Sequence, residues 1–161
     1  MSPRLTALGL LLALLLQVTL GLLLPDANVF WDPLLIVVVY AAVTRGEVAG
    51  LLAGTGAGWL ADVAFGPPVL GLTAMSRLLI GWTVGAAGAR LMLASASARL
   101  LVLVAATLAD ARLLEWFATA FGVDLLPLPP ADLAMRAAAN AIIGVALFAW
   151  LDRKLPRESA A

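Results

Sequence analysis

The chain consists almost entirely of long apolar segments separated by short polar or proline- and glycine-containing breaks. A helix needs about 20 apolar residues to cross the hydrocarbon core of a bilayer. The first segment, residues 5–24, has that length, and five further segments follow it. We therefore predict an all-α polytopic membrane protein with a single transmembrane domain over residues 1–161. Its six predicted spans are residues 5–24, 30–44, 48–65, 71–89, 100–121 and 131–151.

The composition agrees with lipid as the solvent and excludes several kinds of function. Hydrophobic residues make up 63% of the chain and charged residues 12%, whereas a soluble domain carries about 25% charged residues. The net charge is zero, which gives no basic field to attract nucleic acid. Because the chain has no cysteine and no histidine, disulfides, thiolate nucleophiles, histidine-bound metals and imidazole catalysis are excluded. We expect neither an enzyme nor a bound cofactor or metal.

Two of the segments allow more than one interpretation. Residues 5–24 follow Arg4, as in a signal peptide, but their length and the lack of a small-x-small cleavage site favour a retained helix. Residues 30–44 reach only about 22 Å as a helix, which is short for a span. Pro33 can begin this helix with Asp32 as its cap. We expect the short span to be supported by neighbouring helices rather than by lipid.

Basic residues in short loops mark the cytoplasmic side of a membrane protein. Seven basic residues fall in the N-terminus, in alternate predicted loops and in the C-terminal tail, and the intervening loops have no lysine or arginine. Both termini are therefore predicted to be cytoplasmic, which requires an even number of spans. The seven residues are Arg4, Arg45, Arg90, Arg99, Arg153, Lys154 and Arg157.

Three arginines and three acidic residues remain inside the predicted spans, where unpaired charge is costly. The depths of Asp62 and Arg77 match across a tight hairpin, so we expect an Asp62–Arg77 ion pair. The depth of Glu115 matches that of Arg136, and Glu115 also lies three residues after Arg112, close enough to pair with it on one helix. Three roles are open for these charged residues: structural pairing, a polar pocket for a small ligand, or an ion pathway. Their balanced charge argues against the ion pathway. The predicted polar network comprises Asp62, Arg77, Asp110, Arg112, Glu115, Arg136 and Asn140.

Small residues recur every fourth position in the third and fourth predicted spans. Such spacing places them on one helix face and lets two helix backbones approach closely in lipid. We predict that the two spans pack through these glycines, which are Gly50, Gly54, Gly58, Gly81 and Gly85.

The order of these features resembles the rod shape-determining protein MreD family over nearly the whole chain. The matching features are the run 33–44, the pair 45–46, the segment 58–62, the turn 66–72, the residues Arg77 and Gly81, and Asn140 in the last span.

The resemblance implies a non-catalytic subunit of the cell-elongation machinery in the bacterial inner membrane. Its expected partners are an MreC-like bitopic protein and, through it, peptidoglycan synthases and an actin-like filament. The fold would be similar to the six-helix substrate-binding component of energy-coupling-factor transporters.

That similarity supplies the alternative function, a substrate-binding component of a vitamin-type membrane transporter. Such a protein would bind its ligand at the intramembrane polar residues and dock its coupling partner through small residues such as Gly9 and Ala13. The same two residues can equally pack against a single partner helix in the scaffold interpretation.

Overall fold

The computed structural model describes residues 3–24, 27–66, 69–90 and 95–154, and every regular element in these ranges is a helix. This confirms the predicted all-α fold class. Six helices are long and one, α2, is a single turn. The elements are α1 Pro3–Leu23, α2 Ala27–Phe30, α3 Pro33–Arg45, α4 Glu47–Phe65, α5 Leu72–Arg90, α6 Ala96–Ala120 and α7 Pro130–Lys154.

Three of the described helices, α1, α4 and α7, are long and apolar enough to cross a membrane, which indicates a membrane protein. The apolar helix α3 has only 13 residues, about 20 Å, and so is shorter than the hydrocarbon core. The predicted helix start at Pro33 with Asp32 as the cap is confirmed. Phe30, where the predicted span begins, belongs instead to the separate turn α2.

Helix α3 is the centre of the bundle. Nine of its 13 residues are buried, and it packs against α1, α4, α5, α6 and α7. One apolar cluster joins α3 to α5, α6 and α7, and a second cluster joins it to α1 and α4. A helix that is apolar all round belongs in such a position. The expectation that neighbouring helices support the short span is confirmed.

Helices α4 and α5 have the most extensive contact in the bundle, and the predicted glycines lie in it. A Cβ atom added at Gly54 would overlap the carbonyl group of Arg77, and one at Gly58 would overlap the backbone of Ala74. Gly50 and Gly81 face each other so closely that neither can carry a side chain. The two backbones therefore touch, as in other small-residue helix pairs in membranes.

Two glycines with positive φ fix the turns that flank α4. Gly46, with φ of 84°, is the only residue between α3 and α4, and Gly66, with φ of 59°, ends α4 in the left-handed conformation.

One groove on the side of the bundle is lined by Leu5 of α1 and Lys154 of α7. The beginning of α1 and the end of α7 thus lie at the same end of the molecule.

The Gly54→Ala substitution is expected to lower the free energy of unfolding by at least about 1–3 kcal/mol, because its methyl group meets backbone. Gly56→Ala is the matched control, since the added Cβ would lie 3.7 Å from Leu10 Cδ1, which is an ordinary van der Waals contact. Both changes raise helix propensity equally, so their difference reports packing. Thermal unfolding of the purified proteins in detergent measures it, and equal stability of the two variants would contradict the close contact.

Candidate functional site

The carboxylate of Asp32 is the centre of a buried polar network. Asp32 is fully buried at the N-cap of α3, where its Oδ1 accepts a hydrogen bond from the backbone N–H of Leu35 at 3.0 Å. Its Oδ2 forms ion pairs with Nη2 of Arg77 from α5 and with Nη2 of Arg136 from α7, the latter at 2.8 Å. One carboxylate thus joins three helices through charge-assisted hydrogen bonds.

Neutral side chains extend this network into α6. The backbone N–H of Asp32 donates to Oδ1 of Asn140 at 2.8 Å, and Nδ2 of Asn140 donates to Oγ1 of Thr107 at 3.1 Å. Thr107 in turn donates to the carbonyl of Leu103 at 2.8 Å. Asn140 is therefore satisfied on both sides of its amide, as a buried polar group must be. We call Asp32, Arg77, Thr107, Arg136 and Asn140 the Asp32 network.

A second buried carboxylate, Asp110 of α6, lies beside this network. The hydroxyl of Ser76 on α5 donates to its Oδ1 at 2.5 Å. Ser76 is fully buried and Asp110 is nearly so. The pair therefore ties α5 to α6, and Asp110 shares a cleft with Arg77 and Arg136.

The predicted Asp62–Arg77 ion pair is wrong, because Arg77 pairs with Asp32. Asp62 instead accepts hydrogen bonds from the backbone N–H groups of Gly71, Thr73 and Ala74, at 2.8, 3.3 and 3.4 Å. The first turn of α5 leaves these N–H groups without a helical acceptor, and the tight turn after α4 brings them over Asp62. Asp62 thus caps α5 rather than neutralising an arginine.

The matching of Glu115 with Arg136 is also wrong, since Arg136 binds Asp32. Glu115 pairs with Arg112 three residues before it, at 2.9 Å, and the Arg112 side chain is 71% exposed. The face of α6 that carries Arg112 points out of the bundle. Because Glu115 pairs with Arg112 on the outward face of α6, these two residues do not belong to the Asp32 network.

A cleft of about 330 Å³ lies next to the Asp32 network and opens to the surface of the bundle. Two of its lining side chains have buried polar atoms without a partner among the described residues. These atoms are Nε and Nη1 of Arg77 and Oε1 of Gln17. We call this site the polar cleft; it is lined by Gln17, Ala61, Phe65, Thr73, Arg77, Asp110, Leu114 and Arg136.

An apolar groove lies elsewhere, between α1 and α7. These two helices do not pack against each other in the described residues, and α3 forms the floor between them. Two adjoining hollows of about 310 and 350 Å³ follow the groove, from Lys154 at one end to Trp31 at the other. The residues common to both hollows define the α1–α7 groove: Gly9, Leu12, Val37, Leu147, Trp150 and Leu151.

A further polar cluster, at the end of the bundle where α1 begins and α7 ends, was not predicted. Asp152 of α7 pairs with Arg99 of α6 at 2.7 Å and accepts a hydrogen bond from the Tyr40 hydroxyl at 3.3 Å. The Arg99 guanidinium lies 5.8 Å from the centre of the Phe148 ring. This cluster joins α3, α6 and α7 at the opposite end of α3 from Asp32.

Asp32 was predicted as the cap of the short helix but not as a member of the polar network. Because α3 is short and lies among the other helices, its N-cap is buried inside the bundle rather than exposed at its surface. The Asp32–Pro33 pair before a short apolar run is the signal that identifies it.

No protein-family model matches the chain, and no curated protein and no solved structure does so.

Replacement of Asp62 separates its capping role from charge pairing. Asparagine keeps one acceptor oxygen, so Asp62→Asn is expected to lose only the 3.3 Å hydrogen bond from Thr73, at a cost of about 1 kcal/mol. Asp62→Ala removes both oxygens and leaves all three N–H groups without this acceptor, so it is expected to cost about 2–4 kcal/mol. Thermal unfolding in detergent compares the two, and an equally large loss in both variants would indicate that the charge of Asp62 matters.

Proposed function

We propose that this protein is a non-catalytic scaffold subunit of bacterial cell-elongation machinery, which binds an MreC-like bitopic protein in the inner membrane. Through that partner it would act on peptidoglycan synthases and an actin-like filament. The family resemblance in the sequence supplies the identity of the machinery. The observation that carries the binding role is the α1–α7 groove.

The groove has the properties expected of a seat for one transmembrane helix. It is almost entirely apolar, it runs along most of α3, and Gly9 on its wall has no side chain to hinder approach. Close approach at small residues and van der Waals packing drive helix association in lipid, where the hydrophobic effect gives no help. A bitopic partner offers a single helix, which is what a groove between two separated helices can take.

The proposed topology has six spans with both termini in the cytoplasm and a fold similar to the substrate-binding component of energy-coupling-factor transporters. The distribution of positive charge supports it, since the basic residues at the ends of α1, α3, α5 and α7 fall on the cytoplasmic side of this arrangement. Helix α3 would cross only part of the bilayer, surrounded by the other five long helices.

The second candidate is a substrate-binding component of a small-molecule transporter. The polar cleft favours it, because it is a cavity in which arginine N–H donors have no partner among the described residues. Its volume of about 330 Å³ is at the lower limit for pockets that hold drug-sized ligands. A transporter component would copurify with ATPase subunits rather than with an MreC-like protein.

The topology is tested by single cysteines, because the natural chain has none. Asp124→Cys in the loop before α7 is expected to react with a membrane-impermeant maleimide added to intact spheroplasts. Ser97→Cys at the start of α6 is expected to react only after lysis. Labelling of both, or the reverse order, would contradict the proposed orientation.

The docking role is tested by copurification from native membranes with two matched variants of α1. Leu12 lines the groove and is 58% exposed, whereas Leu11 is 50% exposed and lies outside it. Leu12→Trp is expected to remove most of the MreC-like partner from the purified material, because the indole fills the groove. Leu11→Trp should leave recovery unchanged.

Each outcome of that experiment has a definite meaning. Equal recovery with both variants would contradict docking in the groove. Recovery of ATPase subunits with the unmodified protein, and of no MreC-like protein, would replace the scaffold function by the transporter function.

A further inference from the structure

The polar cleft contains hydrogen-bonding capacity that the protein itself does not use. The Arg77 side chain is only 4% exposed, and its Nη2 is taken by Asp32, yet Nε and Nη1 have no partner among the described residues. Gln17, which is 5% exposed, leaves its Oε1 without a partner as well. Each buried group in this state costs about 1–3 kcal/mol relative to a bonded one, so a partner supplied from the cleft is favoured.

The charges around the cleft restrict what that partner can be. Arg77 and Arg136 are balanced by Asp32 and Asp110, two against two. A ligand with a net charge would upset this balance in a site of low dielectric constant, where uncompensated charge is costly. A neutral ligand with separated charges would preserve it.

The positions of donors and acceptors restrict the ligand further. The free N–H groups of Arg77 require an acceptor, and an oxyanion is the acceptor that a guanidinium binds best. The free Oε1 of Gln17 requires a donor. The Ser76 hydroxyl donates to Oδ1 and to the backbone carbonyl of Asp110, which leaves Oδ2 of this carboxylate for a second donor. The ligand must therefore combine an oxyanion with N–H donors.

The remaining walls of the cleft are apolar and suit a ligand that is joined to hydrocarbon. Phe65 is 44% exposed and lies on the lining with Leu114 and Ala61. The volume of about 330 Å³ is sufficient for a small headgroup. Gln17 lies about two turns from the end of α1, and Arg77 less than two turns from the start of α5, so the cleft is near one membrane surface in a six-span arrangement.

We propose that the polar cleft binds a zwitterion composed of an oxyanion and a primary ammonium group. The ethanolamine phosphate headgroup of a phospholipid and a free small zwitterion share this chemistry. The inference does not depend on the scaffold function, because the cleft and the α1–α7 groove have no lining residue in common.

The first arm of the test measures retained lipid. The full chain is purified from mixed vesicles of phosphatidylethanolamine, phosphatidylcholine and phosphatidylglycerol, and its bound lipids are counted by native mass spectrometry. Phosphatidylcholine is the discriminating control, because its quaternary ammonium has no N–H to donate. We expect one bound phosphatidylethanolamine and about tenfold weaker retention of phosphatidylcholine, the effect of about one lost hydrogen bond to a charged group.

Two variants of α1 connect the binding to the cleft. Gln17→Leu removes the free acceptor without touching the Asp32 network, and it is expected to reduce ethanolamine selectivity about tenfold. Thr19→Leu, on an exposed position two residues away, is the control and should leave selectivity unchanged. Retained selectivity in Gln17→Leu would overturn the proposal.

The second arm identifies the source of the ligand. Free glycerophosphoethanolamine and glycerophosphocholine, which are phosphodiesters without net charge, are added to delipidated protein, and thermal unfolding is measured. Stabilisation by glycerophosphoethanolamine alone, without lipid retention, would assign the site to a free zwitterion. If neither the lipid nor the free compound shows ethanolamine selectivity, the proposal is overturned.

Discussion

The ion pairs of Asp32 with Arg77 and Arg136 determine how the other helices can be arranged. They exist because α3 has only 13 residues, so that its N-cap lies inside the bundle rather than at its surface. A buried carboxylate without partners would be several kcal/mol too costly to retain, and two arginines from different helices compensate it. The position of α3 is therefore fixed together with the positions of α5 and α7. Asn140 connects this network to α6, because its amide binds both Asp32 and Thr107.

The two candidate binding sites both result from this central short helix. Because Asp32 binds one nitrogen of Arg77, the guanidinium is held with its other donors available to the polar cleft. Because α3 lies between α1 and α7 and keeps them apart, an apolar groove remains open along it. The structure thus separates a polar site inside the bundle from an apolar site on its side. A scaffold that binds one helix and one lipid-like ligand would use both.

Features that depend on local spacing could be predicted from the sequence. The apolar segments correspond to the long helices. Gly50, Gly54 and Gly58 recur every fourth residue and all lie against α5, because helix geometry alone determines which residues share a face. Ion-pair partners on different helices could not be predicted in this way. Depth alone matched Asp62 with Arg77, but backbone N–H groups at the start of α5 compete for Asp62, and that competition depends on the turn geometry.

The polar cleft was only partly predictable for the same reason. Arg77, Asp110 and Arg136 were recognised as intramembrane charges, and they do line one cleft. Arg112 and Glu115 were included because they lie at similar depth, yet their side of α6 faces outward. Gln17 is a single polar residue in an apolar segment, and only the packing of α1 shows that it is buried and lines the same cleft as Arg77.

A double-mutant cycle on Asp32 and Arg136 tests most directly whether this carboxylate organises the bundle. Asp32→Asn is expected to lower the free energy of unfolding by about 3–5 kcal/mol, whereas Asp124→Asn on an exposed loop position should change it by less than about 0.5 kcal/mol. Adding Arg136→Gln to Asp32→Asn should recover part of the loss, because one uncompensated charge is removed. If Asp32→Asn is as stable as the unmodified protein, or if the two substitutions are simply additive, Asp32 does not have the role assigned to it.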